Sequence, residues 1–448
     1  MNGLDDGVVV VGASLAGLNC ADQLRECGYR GRLTVIGDEP RQPYDRTPLS
    51  KAVLLGRTGP EETPLALRKA AEADWLLGTP AVRLDRERHE VVLADGRAVP
   101  YGVVVAATGV RARSWPSSGE AQLAGVYSVR TAADGAALAE SLRSGPERIV
   151  VVGGGFIACE VASACSELGI PCTLVVRGVT LLASALGAMV GGAVERMARA
   201  GGVDVRLDTA VDELLGVDGT VRAVRLSTGE EVAADAVVLA TGSVGNVEWL
   251  DGAGLDLTGG RVRCDSRLRA MRPDGAVDPE VFAIGDVSRW PHPADSDRLV
   301  TVEHWGSAVS KGRYAARCVL AKGDLEPFEE TPSFWSNVWG TSVKSIGEPS
   351  LAEQVQVIGG NLESGPFNAL YGAGGRVVGA VAFDMPRELG FAQSLVEGRA
   401  AFPFHGPVTD IRAALDAVRP AGIRAAVTAP RPDDPSEAQP TPNSKGPA

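Results

Sequence analysis

Val8-Val9-Val10-Val11-Gly12-Ala13-Ser14-Leu15-Ala16-Gly17 is the stretch that decides the fold. Four β-branched residues in a row read as a strand buried on both faces, as in a parallel sheet. The strand runs straight into a glycine-bounded turn. Leu18, Ala21 and Leu24 then recur at helical spacing, up to about Gly28. Leu33-Thr34-Val35-Ile36 gives a second strand, closed by Gly37-Asp38-Glu39. The sum is a βαβ unit with an acid after its second strand. The free N–H groups and positive dipole end of such a helix suit a pyrophosphate. Ser14 stands where the usual G-x-G-x-x-G fingerprint has its middle glycine; serine is small and adds a hydroxyl donor. Glu39 follows Gly17 by about twenty residues, a spacing suited to an adenosine ribose.

The unit repeats. Arg148-Ile149-Val150-Val151-Val152 enters Gly153-Gly154-Gly155-Phe156-Ile157-Ala158, which fits G-x-G-x-x-A. A helix is predicted from Phe156 to Leu168, stopped by Gly169 and Pro171. Cys172-Thr173-Leu174-Val175-Val176 is the next strand. Further on, Val103-Val104-Val105-Ala106-Ala107-Thr108-Gly109 and Val237-Val238-Leu239-Ala240-Thr241-Gly242 are near copies. Hairpins precede each, with turns marked by Asp95-Gly96 and Thr228-Gly229. Val281-Phe282-Ala283-Ile284-Gly285-Asp286 is a third strand and turn without a partner in the repeat. The simplest topology therefore inserts the second unit into the first.

These readings give an α/β chain with two Rossmann-like dinucleotide-binding domains, the second inserted in the first, plus a small C-terminal α+β domain. The boundaries fall at 1–112 with 243–325, at 113–242, and at 326–425. The last 23 residues, 426–448, are dominated by Pro, Asp, Ser and Ala and read as a disordered tail.

Composition narrows the function classes. The chain has 448 residues and a formal charge of −12, which argues against a nucleic-acid or membrane-surface binder. No long uncharged apolar run suggests a transmembrane helix. Asp5 and Asp6 lie at the N-terminus with no Lys or Arg before Gly7, so no secretory signal is read and a cytoplasmic protein is expected. Seven cysteines, none in C-x-x-C, exclude a disulfide scaffold or zinc ribbon and read mostly as small buried hydrophobes. The four histidines have no metal-ligand spacing, so no metal site is expected.

Some segments are more specific than a Rossmann turn. They are Gly37-Asp38-Glu39-Pro40, Pro43-Tyr44-Asp45-Arg46-Thr47-Pro48-Leu49-Ser50-Lys51, Ile284-Gly285-Asp286-Val287, Glu303-His304-Trp305 and Phe334-Trp335-Ser336. With them the chain resembles the FAD-dependent NAD(P)H–ferredoxin reductases (rubredoxin and putidaredoxin type) of the two-dinucleotide-binding-domain flavoproteins, from about Val8 to about Arg399.

The resemblance implies roles. The turn from Gly12 to Gly17, with Ser14, Leu15 and Ala16, would cradle the FAD pyrophosphate. Asp38 and Glu39 would meet its ribose, and Arg46 would supply a counter-charge. Lys51 would sit beside the isoalloxazine, where a cation stabilises the reduced ring. Val82, Thr108 and Gly109 would lie at the adenine. Arg130 would meet FAD at the domain junction, and Gly285 with Asp286 the ribityl chain. His304 and Trp305 would pack at the flavin. Gly153, Gly155, Phe156, Ile157, Thr241 and Gly242 would hold NAD(P)H, with Glu160 near Lys51 and the nicotinamide. Lys51, Glu160 and Trp305 are the implied catalytic residues.

At the end of the second strand of this unit, where NADH-preferring relatives carry an acid, stand Val176 and Arg177. An arginine can pair with a 2′-phosphate, so NADPH tolerance or preference is expected. The implied activity passes a hydride from NAD(P)H onto FAD and single electrons to an iron–sulfur ferredoxin serving a cytochrome P450 or another oxygenase. The chain itself would hold no cluster, as no cysteine set has the spacing. Lys311, Arg313 and Arg317 form an expected docking patch for an acidic ferredoxin. Monomer and homodimer stay open. Two rivals stand beside this reading. A thiol-using flavoenzyme would need a cysteine near the flavin, but Glu39 to Gly78 holds none; an NADH oxidase without a redox cysteine is the related case. A slow-turnover FAD- and NAD-binding redox sensor or interaction protein would bind the same cofactors.

Overall fold

The structure is a computed structural model and describes residues 5–293 and 295–405. The expected tail at 426–448, and the end of the expected C-terminal domain, lie outside the described residues.

The Val8–Val11 strand is wholly buried and pairs in parallel with Leu33–Ile36 on one side and Val103–Ala106 on the other. The sheet runs Arg269–Met271, Val277–Ala283, Val103–Ala106, Val8–Val11, Leu33–Ile36, Asp74–Leu76 in space. Only its Arg269–Met271 edge is antiparallel. The strand at the centre of the repeat, Ile149–Val152, is flanked in the same way by Cys172–Val175 and Ala236–Leu239. Val8 faces Leu33 and Val103; Ile149 faces Cys172 and Ala236. Helices start at Leu15 and Phe156 in the equivalent places. The second helix spans Phe156–Leu168 as the sequence predicts, and left-handed Gly169 ends it. Its following strand ends one residue sooner than expected, at Val175, leaving Val176 on the turn.

The chain leaves the first sheet after Val103–Ala106 and returns to it at Arg269–Met271. The second sheet is built from the residues between. The two crossings, Val110–Ala112 and Ser243–Gly245, pair as an antiparallel ribbon. This is the insertion that the unpartnered Val281–Asp286 segment implied. Each unit also carries a three-stranded antiparallel sheet at the hairpins marked by Asp95-Gly96 and Thr228-Gly229.

The Leu15–Glu26 helix packs on the Trp305–Leu320 helix through small residues. A Cβ on Gly312 would lie 2.5 Å from the Ala16 carbonyl oxygen, so only glycine permits this approach. A five-stranded antiparallel sheet, Ser333–Val338, Thr341–Gly347, Arg376–Phe383, Phe367–Ala373 and Gln354–Gly360, forms the C-terminal part. The Leu389–Glu397 helix covers it. Its edge strand, Ser333–Val338, reaches the Phe156–Leu168 helix. The cysteines match the sequence reading in the main: five are buried, Cys318 is half-buried and Cys27 is exposed.

Candidate active site

Two glycines shape the turns that aim both helices. Gly12 has φ +126°, and a Cβ there would lie 2.1 Å from the Ala107 carbonyl oxygen. Gly153 has φ +135°, and its Cβ would lie 2.2 Å from the Ala240 carbonyl oxygen. At both places a strand end of the same sheet stands where a side chain would go. Ser14 caps the first helix with no side-chain hydrogen bond to the helix backbone, so the first-turn N–H groups stay available to an anion.

That helix start opens into a cleft of about 440 Å³. Ser14, Leu15 and Ala16 form one wall, with Asp38 and Glu39 from the neighbouring strand end. Arg46, Lys51, Thr108, Gly109 and Arg130 follow, then Gly285, Asp286, His304 and Trp305. Phe156, Ile157 and Glu160 enter from the second unit's helix, and Phe334 and Trp335 from the C-terminal sheet. Three parts of the chain thus meet in one cavity. Among the described residues that line it there is no cysteine.

The charged groups are arranged in pairs. Glu39 accepts from Arg46 Nη2 at 2.5 Å and from the Tyr44 hydroxyl at 2.7 Å. Arg46 also donates to the Arg130 carbonyl at 2.8 Å. Arg130 in turn pairs with Asp286 at 3.0 Å. Burial, first of all, pushes the Tyr44 hydroxyl up to about 12, so it stays a donor to Glu39. Thr108 and Asn246 exchange two hydrogen bonds, at 2.7 Å and 2.9 Å, and tie the first unit's strand end to the returning chain.

Lys51 and Glu160 meet at 2.8 Å. Lys51 sits on the loop after the Thr47–Ser50 turn, in the first unit; Glu160 sits on the second unit's helix and is only 5% exposed. Glu160 also accepts from the Ser50 hydroxyl and, at 2.6 Å, from the Ser336 hydroxyl. Every oxygen of this buried carboxylate is therefore used, and the ammonium is fixed at the cavity wall. The site is further lined with aromatic rings. Trp305 and Trp335 lie edge to face with centroids 6.0 Å apart, and Phe156 and Phe334 with centroids 4.5 Å apart. Burial lowers the affinity of His304 for a proton, and its Nδ1 is buried without a hydrogen-bond partner.

A cavity with a helix start whose first N–H groups take no side-chain cap, an acid pair at a strand end, a buried unpartnered imidazole nitrogen and an aromatic wall fits the chemistry of FAD. Most of the residues expected from the sequence come together here. Gly12 and Gly17 lie behind the turn and shape it: a Cβ on Gly17 would meet the Gly12 carbonyl oxygen at 1.9 Å. Gly153, Gly155, Val176, Arg177, Thr241 and Gly242 lie at the second unit's own turn, outside the cleft lining. Val82 is 49% exposed on the Ala81–Asp85 strand and does not line the cleft either.

One expectation is overturned. Lys311 belongs to no docking surface, because it is fully buried. Its Nζ lies 3.7 Å from the centroid of the Trp290 ring and donates to the Gly285 carbonyl at 3.1 Å. It stands two residues from Arg313, and such positions point to different sides of a helix. Arg313 and Arg317 are exposed, one turn apart. Sequence reasoning also missed residues that hold the site together. Ser50 and Ser336 stood in segments already singled out, yet a serine that serves a carboxylate more than a hundred residues away has no local signal. Asn246, 138 positions from its partner Thr108, was missed for the same reason, while Tyr44 lies five positions from Glu39 in a segment already singled out.

Residues 6–312 match the model of the pyridine nucleotide-disulphide oxidoreductase family, and residues 333–417 that of the reductase C-terminal domain. The chain is 34% identical over 388 residues to the rhodocoxin reductase of Rhodococcus erythropolis, covering 85% of this chain and 87% of that one. It is 33% identical over 405 residues to the ferredoxin–NAD(+) reductase component of the biphenyl dioxygenase system of Paraburkholderia xenovorans, covering 88% and 94%. In the crystal structure of the covalent putidaredoxin reductase–putidaredoxin complex, a chain 29% identical matches with a TM-score of 0.83 over 92% of this chain and 99% of that one. The chain belongs to the FAD-dependent NAD(P)H–ferredoxin reductases of the pyridine nucleotide-disulphide oxidoreductase family.

Proposed function

We propose that this chain takes electron pairs from NAD(P)H and delivers them singly to an iron–sulfur ferredoxin, which serves a cytochrome P450 or another oxygenase. The observation that carries this reading is the cysteine-free cleft shared by both units, with Lys51 of one unit and Glu160 of the other paired at its wall. A thiol-using relative would need a cysteine in that wall.

Bound FAD supplies the conversion between hydride transfer and one-electron transfer. The residues do the holding and tuning. The N–H groups at Leu15 and Ala16 would take the pyrophosphate, with Arg46 as counter-charge. Glu39 and Asp38 would hold the ribose and Asp286 the ribityl chain. Lys51 presents a fixed positive charge to the cavity, and Glu160 with Ser50 and Ser336 keeps it there. Such a charge, oriented in advance, favours an electron-rich ring. Trp305 and Trp335 close the aromatic wall. NAD(P)H would enter from the second unit, whose helix already supplies Phe156, Ile157 and Glu160 to the cleft.

Arg313 and Arg317 are the docking residues of this reading. They present two exposed cations to an acidic ferredoxin. Among the described residues no helix is long and apolar enough to cross a membrane. A cytoplasmic setting completes the proposal: it supplies NAD(P)H, and seven cysteines without a disulfide suit a reducing compartment.

The test offers the FAD-loaded protein NADPH or NADH with either a [2Fe–2S] ferredoxin or a small disulfide. Turnover with the ferredoxin and none with the disulfide is expected. Turnover with the disulfide, or none with any ferredoxin tried, would overturn the proposal.

A further inference from the structure

The two nucleotide units can be aligned hydrogen bond by hydrogen bond. In the first, Gly12 N–H donates to the Ile36 carbonyl at 2.8 Å and Gly37 N–H to the Leu76 carbonyl at 2.9 Å. In the second, Gly153 N–H donates to the Val175 carbonyl at 2.9 Å and Val176 N–H to the Arg206 carbonyl at 2.8 Å. The return bonds match as well. Gly78 and Thr79 donate to Glu39 and Gly37; Asp208 and Thr209 donate to Gly178 and Val176. The register leaves one correspondence: Gly37 with Val176, Asp38 with Arg177, and Glu39 with Gly178.

Packing agrees with it. A Cβ on Gly37 would lie 2.6 Å from the Ala13 side chain, and a Cβ on Gly154 would lie 2.5 Å from the Val176 side chain. Each turn thus meets its strand end through one small and one larger partner, with the sizes exchanged. The residue that follows, Asp38 or Arg177, is therefore carried to the same place beside its glycine turn.

The chemistry at that place is reversed. The first unit offers two carboxylates, which accept from ribose hydroxyls and repel a phosphate. The second offers a guanidinium and no acid at either aligned position. Arg177 is exposed and makes no hydrogen bond or ion pair with the described residues. The neighbouring Arg206 is spent on Asp204 and Glu230. Asp208, exposed and aligned with Gly78 on the next strand end, makes no ion pair with Arg177. A planar, permanently charged, uncommitted guanidinium at the ribose position of a dinucleotide unit suits a phosphate monoester.

We infer that Arg177 binds the 2′-phosphate of NADPH and makes NADPH the preferred electron donor of this chain. The inference rests on the proposed reductase reading and names the donor for the same site. The first unit keeps its acids because FAD carries no phosphate on its ribose hydroxyls.

The test compares the FAD-loaded protein with two variants, Arg177→Ala and the double variant Arg177→Asp/Gly178→Glu. The second transplants the first unit's acids. It should fold, because the nearest atom to a Cβ at Gly178 is the Thr180 carbonyl oxygen at 3.6 Å. The readouts are bleaching of the flavin by NADPH and by NADH, and the dissociation constants of adenosine 2′,5′-bisphosphate and adenosine 5′-monophosphate. The wild-type protein should favour NADPH and the bisphosphate. Arg177→Ala should lower the NADPH/NADH ratio of kcat/KM by about tenfold or more, through KM and not kcat, and the double variant should prefer NADH. A wild type that favours NADH, or an alanine variant with an unchanged ratio, would overturn the inference while leaving the reductase reading intact. A flavin that neither nucleotide bleaches would overturn both.

Discussion

Gly12 and Gly153 occupy the same place in two copies of one unit, and their surroundings differ. Around Gly12 the ligands are charged and partnered: Glu39 with Arg46 and Tyr44, Arg130 with Asp286. Around Gly153 the exposed Arg177 is uncommitted, and Gly155 has no described atom within 4 Å of where its Cβ would stand. A unit that keeps its cofactor can lock its polar groups into a network. A unit that binds and releases its nucleotide each turnover gains from leaving them open. On the proposed reading, a repeated backbone fixes where a ligand would lie, while side chains at strand ends would set which ligand it is.

The sharpest way to break this comparison is to damage each turn in the same manner. Gly12→Val puts a branched side chain where the Ala107 carbonyl stands, and the protein should purify without FAD. Gly153→Val does the same against Ala240, and should stay yellow while reduction by NAD(P)H falls by about a hundredfold or more. Absorbance of the purified proteins and bleaching kinetics check both. Loss of FAD from the second variant would mean that the units are not separate.

The contact between the units comes next. Glu160→Gln keeps a partner for Ser50 and Ser336 but removes the counter-charge of Lys51. Flavin reduction should slow by about tenfold to a hundredfold with FAD retained. A smaller change is expected at the surface. The double variant Arg313→Glu/Arg317→Glu should slow reduction of an acidic ferredoxin by about tenfold at low salt, and progressively less as salt rises. Reduction of ferricyanide by the same variant should match the wild type.

The smallest effect concerns Lys311. Burial pushes its ammonium down to about 8, with partial compensation from Asp286, Glu330 and Glu303. The unfolded chain holds that proton more tightly, so stability contributed at this position rises with pH above the folded value. Relative to Lys311→Met, the wild type should gain about 1 kcal/mol between pH 7.5 and 9. Urea unfolding of both proteins across that window checks the slope.

How much of this was legible in the sequence varies by residue. Val8–Val11 and Ile149–Val152 announced two parallel sheets because a run of β-branched residues has few other uses. The unpartnered Val281–Asp286 segment announced the insertion, since its strand pairs with Val103–Ala106 across the whole second unit. The cleft's ionic groups were visible through the segments that carry them. Their pairing was not: Ser336 reaches Glu160 across 176 positions, and no local pattern encodes that distance. Lys311 was misread for a related reason. A basic residue on a helix reads as exposed until the fold shows which face is covered, and here Trp290 covers it.

The central claim is that one cleft takes electrons from a nicotinamide and releases them to an iron–sulfur protein. Anaerobic stopped flow tests it most directly: the FAD-loaded protein is mixed with NADPH or NADH, and a [2Fe–2S] ferredoxin follows. The account predicts fast bleaching at the flavin band, then cluster reduction with recovery of the oxidised flavin spectrum. Bleaching slower than turnover, or a reduced protein that persists in the presence of oxidised ferredoxin, would contradict it and favour a sensor or interaction role.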